Sequence, residues 1–191
     1  MRLRILEATA DVLTRLPLSK VTMEDVARAA GIARPTIYKY FPGRDALVVA
    51  LLVDETERTH RPALTALHGE ARSATQLSRM ILEQVRLANE WVLLSRTFDP
   101  GVAPRIAELV LSSEQLGECI RAIWVPILED YRADGLLRHG LDLAETVRWL
   151  TYQYVWLLSH PDALTDDPDA RGRYVHTYIT GALVRAHESQ P

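Results

Sequence analysis

Cysteine is almost absent from this chain, with Cys119 the single example among 191 residues. One thiol cannot form a disulfide within the chain, and it cannot supply a cysteine-based metal site by itself. The composition therefore excludes the small secreted domains that depend on disulfides. It is typical of a reducing compartment, so we expect the protein to be cytoplasmic.

Long hydrophobic runs are also missing, although 48% of the residues are hydrophobic. No stretch approaches the ~18–20 apolar residues that span a bilayer. Charged residues interrupt the first dozen positions, so they contain no apolar core of a signal peptide. We expect no membrane partner. The apolar content suits a sizeable core, either in one large domain or in a small domain followed by a larger one.

Sequence patterns that carry catalysis or bind metals are missing as well. The histidines do not recur at the i, i+3 or i+4 spacing of a helical zinc site; they are His60, His68, His139, His160, His176 and His187. The glycines form no phosphate-binding loop, and no motif surrounds Cys119. The sequence therefore predicts no catalytic residue, metal or cofactor, and it favours a protein that is not an enzyme.

Basic residues are concentrated near the start of a chain whose net charge is −3. Residues 1–46 contain 8 Lys/Arg and 5 Asp/Glu, and they include both lysines, Lys20 and Lys39. Residues 47–191 contain 14 Lys/Arg and 20 Asp/Glu. A positive end on an acidic body can bind phosphate groups while the body is repelled from them.

Residues 21–47 predict two short helices joined by a tight turn. Thr22 can cap the first helix, and Asp25 places an acid in its first turn, where negative charge is favourable. An apolar face follows at helical spacing, formed by Met23, Val26, Ala27 and Ala30. Gly31 comes where a left-handed residue ends a helix. Pro35 falls in the first turn of the second helix, where a missing amide hydrogen is harmless.

The second helix has an inner and an outer side. At 100° per residue, Ile37 and Phe41 lie together and point inward. The start and the outer side carry cations, hydroxyls and rings, from Arg34, Pro35, Thr36, Tyr38 and Lys39. Such groups can contact phosphates and base edges. A helical hairpin with this turn is typical of a helix-turn-helix, which places its second helix in the major groove of DNA.

The segment resembles the DNA-binding signature of TetR-type transcriptional regulators. The matching positions are Thr22, Val26, Ala27, Ala30, Gly31, Ile32, Thr36, Ile37, Tyr38, Tyr40, Phe41, Asp45 and Leu47. Three positions depart from the pattern: Ala33 replaces the usual capping Ser, Pro35 replaces a common Gly, and Arg44 replaces Lys. The resemblance implies DNA contacts from Thr22, Arg34, Pro35, Thr36, Tyr38, Lys39, Tyr40 and Arg44.

The rest of the chain predicts helices and no sheet. Helices are expected at about 2–15, 44 into the sixties, 73–95, 102–112, 114–133, 142–159 and 168–187. Pro62 should end or kink the second of these, and Pro126 should kink the helix around it. The predicted fold is all-α. A three-helix DNA-binding domain spans residues 1–46, and a larger helical domain for effector binding and dimerisation spans residues 47–191.

Residues 147–158 carry apolar groups nearly all round the predicted helix. Such a helix is buried on more than one side. With the last helix it is expected to form a homodimer interface resembling a four-helix bundle, as the resemblance also implies. The expected interface residues are Trp149, Tyr152, Trp156, Tyr174, Tyr178 and Ala182. The alternative is that the two helices form the centre of a monomer.

Large and polar-tipped side chains on the middle helices are candidates to line an effector pocket. They are Met80, Gln84, Trp91, Phe98, Trp124 and Tyr131. The alternative for each is an ordinary place in the core. The resemblance implies a small apolar or amphipathic effector that releases the protein from DNA.

The sequence as a whole favours a DNA-binding transcriptional regulator, expected to be a repressor that binds a palindromic operator as a dimer. Two alternatives remain open. One is a helical small-molecule-binding or adaptor protein whose helical hairpin is only structural. The other is a transcriptional activator of the same fold.

Overall fold

The computed structural model describes residues 1–91, 103–160 and 169–185, and these residues are predominantly helical. The helices are α1 Arg2–Arg15, α2 Met23–Ala29, α3 Arg34–Tyr40, α4 Arg44–Glu55, α5 Arg61–His68, α6 Ala74–Glu90, α7 Ala103–Ser112, α8 Glu114–Ala133, α9 Leu143–Ser159, α10 Ala170–Tyr174 and α11 Gly181–Leu183. Within the described ranges no strand forms, and the predicted all-α class is confirmed.

The first three helices form a compact unit. Helix α1 buries one face, made of Ile5, Leu6, Thr9, Val12 and Leu13, and it packs against α2 and α4. Helix α2 packs in turn against α3. Ile37 and Phe41 are fully buried, as the helical wheel predicted. A close-packed apolar interior of this kind fixes the orientation of the outer face of α3.

Helix α4 belongs to both parts of the molecule. It contacts α1 on one side and packs against α7 and α8 on the other. Leu47, Val48 and Leu51 are buried along it. The expected division after residue 46 falls inside this helix, so the two parts share a rigid element; the division itself stays a prediction.

The chain remains helical through Pro62, where an end or a kink was expected. A π-helical turn, Thr56–His60, joins α4 to α5, and the backbone at Thr56 and Arg61 keeps helical dihedral angles. Pro62 lies in the first turn of α5 and has no amide hydrogen to donate. A single π turn inside a helix is rare and is one of the recognised positions at which a helix bends, so the expected kink stays a prediction.

The end of the chain departs from the single helix expected over residues 168–187. A π-helical turn, Val175–Thr180, separates α10 from α11, and Val184 is extended. Val184 forms an isolated antiparallel bridge with Leu137, and the Arg138 amide donates to the Leu183 carbonyl at 2.8 Å. This bridge ties the end of α11 to the loop after α8.

Helices α6, α8 and α9 form the centre of the larger part. Helix α8 is 20 residues long and contains Pro126 in its interior. Within the described part of the chain, no helix has the length and apolar character needed to cross a membrane.

Candidate nucleic-acid interface and internal cavity

A reciprocal hydrogen-bonded cap fixes the start of α2. The Asp25 amide donates to Thr22 Oγ1 at 3.2 Å, and the Thr22 amide donates to Asp25 Oδ2 at 3.2 Å. The Thr22 hydroxyl also donates to Asp25 Oδ2 at 2.6 Å, and these bonds lower the pKa of the Asp25 carboxyl. The Thr22 hydroxyl therefore both donates and accepts within the cap, and the side chain stays exposed.

Gly31 makes the turn between α2 and α3. Its φ of 61° lies in the left-handed region, where a side chain is strained. The Ile32 amide donates to the Ala27 carbonyl at 3.0 Å, and the Gly31 amide donates to the Arg28 carbonyl at 3.1 Å. This pair of bonds is a Schellman motif, so the turn has one defined geometry and sets the direction of α3.

Helix α3 presents a polar surface away from the core. Arg34, Pro35, Tyr38, Lys39 and Tyr40 are exposed. Thr36 is half-buried beside them, and Arg44 is exposed at the first position of α4. The Arg34 guanidinium carbon lies 6.0 Å from the centroid of the Tyr38 ring. The expected DNA-contacting residues of α3 therefore share one exposed surface.

The start of α3 has no side-chain cap. Ala33 occupies the N-cap position with extended backbone, and the Thr36 amide donates to the Ala33 carbonyl at 2.8 Å. Pro35 removes one of the first-turn amides that a cap would otherwise satisfy. Two departures from the family pattern are therefore related: the proline lessens the need for a capping side chain.

Two arginines of α1 extend this region, although nothing in their sequence positions indicates that they adjoin the helical hairpin. The Arg2 guanidinium carbon lies 4.5 Å from the centroid of the Phe41 ring. Arg4 reaches the turn, since a Cβ placed on Gly31 would lie 2.8 Å from Arg4 Nη2. Only the packing of α1 against α2 brings these cations to the helical hairpin.

An internal cavity of about 60 Å³ lies between α4, α6, α7, α8 and α9. This is several times the ~10–15 Å³ that one water molecule requires. Its walls are mostly apolar, formed by Leu52, Glu55, Thr56, His60, Gln84, Trp91, Ile106, Ala107, Val110, Leu116, Ile120, Trp124, Leu150, Thr151, Tyr154, Val155, Leu158 and Ser159. Apolar walls with few polar groups are typical of a small-molecule site.

Three of the residues expected in a pocket line this cavity: Gln84, Trp91 and Trp124. Met80 and Tyr131 are buried elsewhere in the core. The Tyr131 hydroxyl donates to the Ser73 carbonyl at 3.0 Å and lies against Gln76, and burial raises the pKa of Tyr131 to about 12. Phe98 lies outside the described residues.

His60 and Tyr154 give the cavity two polar rings that the sequence pattern did not indicate. The ring centroids are 6.4 Å apart in an edge-on arrangement. Burial lowers the pKa of His60 to about 4, opposed by the charge of Glu83, so the imidazole is neutral at neutral pH. Burial also raises the pKa of Tyr154, and the charge of Glu55 adds to that effect.

Helix α7 connects the cavity to the start of α4. Ile106 and Ala107 of α7 line the cavity, and the preceding residue, Arg105, forms an ion pair with Asp45. Arg105 also pairs with Glu108 on its own helix at 2.5 Å. Asp45 follows directly on Arg44, next to α3. A displacement of the α7 wall would therefore act on the residues that orient the helical hairpin.

The last two long helical segments carry an exposed aromatic surface. Tyr152 is 51% exposed and Tyr178 is 66% exposed. The rings of Trp156 and Tyr174 stack at 5.1 Å, and Tyr178 follows at 5.4 Å from Tyr174. The other two residues expected in a dimer interface are Trp149, which is half-buried, and Ala182, which is exposed. Trp156 and Tyr174 are half-buried in this row, and exposed rings such as Tyr152 and Tyr178 are typical of a surface that associates.

Cys119 is buried and protonated. Its thiol donates to Glu57 Oε1 at 3.2 Å, and burial is the main cause that raises its pKa to about 12. A thiol with this pKa is a poor nucleophile at neutral pH. Across the described ranges, no group of three or more His, Cys, Asp or Glu side chains is placed to hold a metal ion.

The N-terminal part of the chain matches a known protein family. Residues 5–51 match the profile described as bacterial regulatory proteins, tetR family. The chain is 26% identical over 189 residues to the uncharacterized HTH-type transcriptional regulator Rv1255c of Mycobacterium tuberculosis, covering 97% of this chain and 89% of that protein.

A shorter match concerns the DNA-binding part alone. Over 50 residues the chain is 42% identical to the HTH-type transcriptional regulator EthR of Mycobacterium tuberculosis, covering 26% of this chain and 23% of EthR.

The fold extends this likeness to the whole chain. The structure of the TetR family repressor AlkX from Dietzia sp. superposes with a TM-score of 0.68 at 22% identity, covering 94% of this chain and 93% of AlkX. The helix-turn-helix geometry, the family match and the shared fold agree. Residues 5–51 therefore carry the N-terminal DNA-binding domain of the tetR family of bacterial regulatory proteins, and the likeness over the remainder of the chain is one of fold.

Proposed function

We propose that this regulator is a repressor that binds a palindromic operator as a homodimer and releases it when a small apolar or amphipathic effector fills the cavity. The observation that carries the proposal is the path of α4. Its first residues adjoin α3, and its last residues, Leu52 and Glu55, form part of the cavity wall. One helix therefore links the ligand site to the DNA site.

In this proposal α3 enters the major groove. Arg34, Pro35 and Thr36 lie closest to the bases, and Tyr38 and Lys39 contact phosphates or base edges. Thr22, Tyr40 and Arg44 position the protein on the backbone. Their exposure on one side of the helical hairpin supports this assignment.

The proposed dimer joins α9 and the α10–α11 segment across a two-fold axis, through Trp149, Tyr152, Trp156, Tyr174, Tyr178 and Ala182. The exposed aromatic row supports it, because association would remove these rings from water. Two copies of α3 must then lie about one helical turn of DNA apart, ~34–36 Å between half-sites.

Release would follow from a change in that separation. An effector in the cavity displaces the walls formed by α4 and α7, and the Arg105–Asp45 ion pair transmits the displacement toward α3. A shift of a few ångströms at each half-site would misplace both recognition helices at once. We place this regulator in the cytoplasm, with residues 1–46 binding DNA and residues 47–191 sensing and dimerising.

The repressor role is supported by analogy with AlkX, which is described as a repressor. A reporter placed behind the operator in a deletion strain separates repression from activation. Increased expression in the deletion strain supports repression, and decreased expression identifies an activator.

Selection of bound sequences from random duplexes, followed by footprinting on DNA upstream of its gene, tests the DNA-binding claim. A selected palindrome protected by two subunits supports the proposal. Failure to enrich any sequence, at low as well as moderate salt, would instead favour the adaptor alternative.

A further inference from the structure

Among the described residues that line the cavity, Glu55 is the one carboxylate, and none is Lys or Arg. His60, the other titratable group of the wall near neutral pH, is uncharged because its pKa is about 4. The Glu55 carboxylate, which pairs with the Arg58 guanidinium at 3.4 Å, is therefore the charged group of the described wall, and in apolar surroundings charge interactions are stronger than in water.

The Glu55 carboxylate is buried and incompletely paired. The residue is 8% exposed. Its Oε2 accepts a long hydrogen bond from Arg58 Nη2 at 3.4 Å, whereas Arg58 Nε donates to Asp54 at the shorter distance of 2.8 Å. Oε1 accepts no hydrogen bond from the described residues and is not cut off from solvent, so a donor inside the cavity can bind it.

Aromatic rings surround the same space. Trp91, Trp124 and Tyr154 all line the cavity. The charge of Glu55 helps to raise the pKa of the Tyr154 hydroxyl, which places the carboxylate within electrostatic reach of that ring. The face of an aromatic ring attracts a cation, and the indole of tryptophan does so most strongly.

Both effects favour the same ligand charge. A carboxylate attracts a cation and repels an anion, and ring faces attract a cation while burying its apolar groups. Gln84 is 9% exposed and supplies a neutral amide that can orient a polar group. No basic side chain among the lining residues of the described chain is available to neutralise a ligand carboxylate.

We propose that the cavity selects compact apolar cations, such as alkyl or aryl amines, over carboxylates and neutral molecules of the same shape. Glu55 is the residue that determines this selectivity, with Trp91, Trp124 and Tyr154 supplying the apolar and cation-attracting walls. The inference rests on the proposed function only in taking the bound molecule to be the effector.

The test uses three probes of equal chain length at pH 7: hexylammonium, 1-hexanol and hexanoate. Isothermal titration calorimetry on the full chain measures their dissociation constants. Hexylammonium should bind at least about tenfold tighter than either of the other two. Glu55→Gln should bring hexylammonium to within about threefold of 1-hexanol and leave the affinity for 1-hexanol nearly unchanged, which also shows that the variant is folded.

Glu57→Gln is the matched control. Glu57 lies two residues further along, on the adjoining π turn, but its side chain pairs with Arg61 at 2.5 Å outside the cavity wall. Loss of this charge should leave the preference for hexylammonium intact. A preference lost equally in both variants would mean a general field effect and would overturn the assignment to Glu55.

Other outcomes also contradict the inference. Hexanoate or 1-hexanol binding as tightly as hexylammonium overturns it, as does absence of hexylammonium binding at millimolar concentration. The selected operator duplex, added to the same titrations, separates the two proposals. If hexylammonium binds selectively but does not release DNA, the proposed effector function is contradicted and the selectivity of the cavity stands. If hexanoate releases DNA best, the selectivity is contradicted and the effector function stands.

Discussion

Asp45, at the second position of α4, is joined by an ion pair to Arg105 on α7. The pair spans 60 residues of sequence and links the residue after Arg44 to the helix whose next residues line the cavity. It is a described contact that relates the cavity to the helical hairpin.

Asp45→Asn should uncouple the cavity from the DNA site with little loss of stability. Both side chains are 44–45% exposed, so solvent screens the pair and it contributes little to folding. The free energy of unfolding, measured by urea denaturation, should therefore stay close to that of the wild type. The effector concentration needed to release DNA, measured by fluorescence anisotropy, should rise several-fold.

Glu108→Gln is the control for this prediction, because Glu108 pairs with the same arginine within α7. It should leave the release midpoint unchanged. Equal midpoints for wild type and Asp45→Asn would show that the coupling runs through α4 alone.

Gly31→Ala should destabilise the helical hairpin. At a φ of 61° a residue with a Cβ is less stable than glycine by about 1–2 kcal/mol. The new methyl group would also displace Arg4 Nη2. The loss should appear as a lower free energy of unfolding in urea. Gly43→Ala is the matched control, since Gly43 is extended with nothing within 4 Å of an added methyl, and it should be nearly neutral.

His60 should make the protein less stable in acid. Its folded pKa of about 4 lies below the ordinary value of 6.5, so the unfolded chain binds a proton first as the pH falls. The free energy of unfolding is highest above pH 6.5 and falls progressively toward pH 4. One unit of pKa corresponds to 1.36 kcal/mol, so this loss is about 2–3 kcal/mol.

Urea denaturation of wild type and His60→Gln between pH 7 and pH 4.5 measures this contribution. The variant should have a shallower fall in stability over that interval. His139→Gln, at an exposed loop position, should keep the wild-type slope. An identical slope for His60→Gln and wild type would contradict the buried neutral imidazole.

Tyr178→Arg should weaken the proposed dimer. The tyrosine is 66% exposed in the chain and lies at the end of the stacked aromatic row, so a buried guanidinium in its place would be costly at a two-fold interface. Analytical ultracentrifugation should show a shift from dimer toward monomer at micromolar concentration.

Leu3→Arg is the comparison for that variant, because Leu3 is an exposed apolar residue of α1, in the N-terminal helical unit. It should sediment like wild type. A monomeric wild type, or a Tyr178→Arg variant that stays dimeric, would place the interface elsewhere.

The helical hairpin could be predicted from sequence because its signals are local. The Thr22–Asp25 cap, the left-handed Gly31 and the inward pair Ile37 and Phe41 all involve residues within four positions of one another or one helical face. Local geometry of this kind does not depend on how distant helices cross.

The cavity could be predicted only in part, for two physical reasons. His60 follows Thr56 at i+4 and Leu52 at i+8, on the face that forms the wall, but helical spacing alone does not tell a polar ring in a cavity from one in solvent. Whether a side chain reaches the cavity depends on its position along the helix as well as on the face of the helix that it occupies. Trp124 and Tyr131 are seven residues apart on α8, yet about 10 Å of helix separates them, and only Trp124 reaches the cavity.

The salt dependence of operator binding tests the central claim most directly. We expect tight binding to the selected palindrome over a scrambled duplex, with Lys39→Ala lowering the slope of log affinity against log salt by about one per half-site. Arg121→Ala, an exposed cation on α8, should leave that slope unchanged. Equal affinity for palindromic and scrambled duplexes, or a slope that Lys39→Ala does not alter, would contradict the assignment of α3 as the recognition helix.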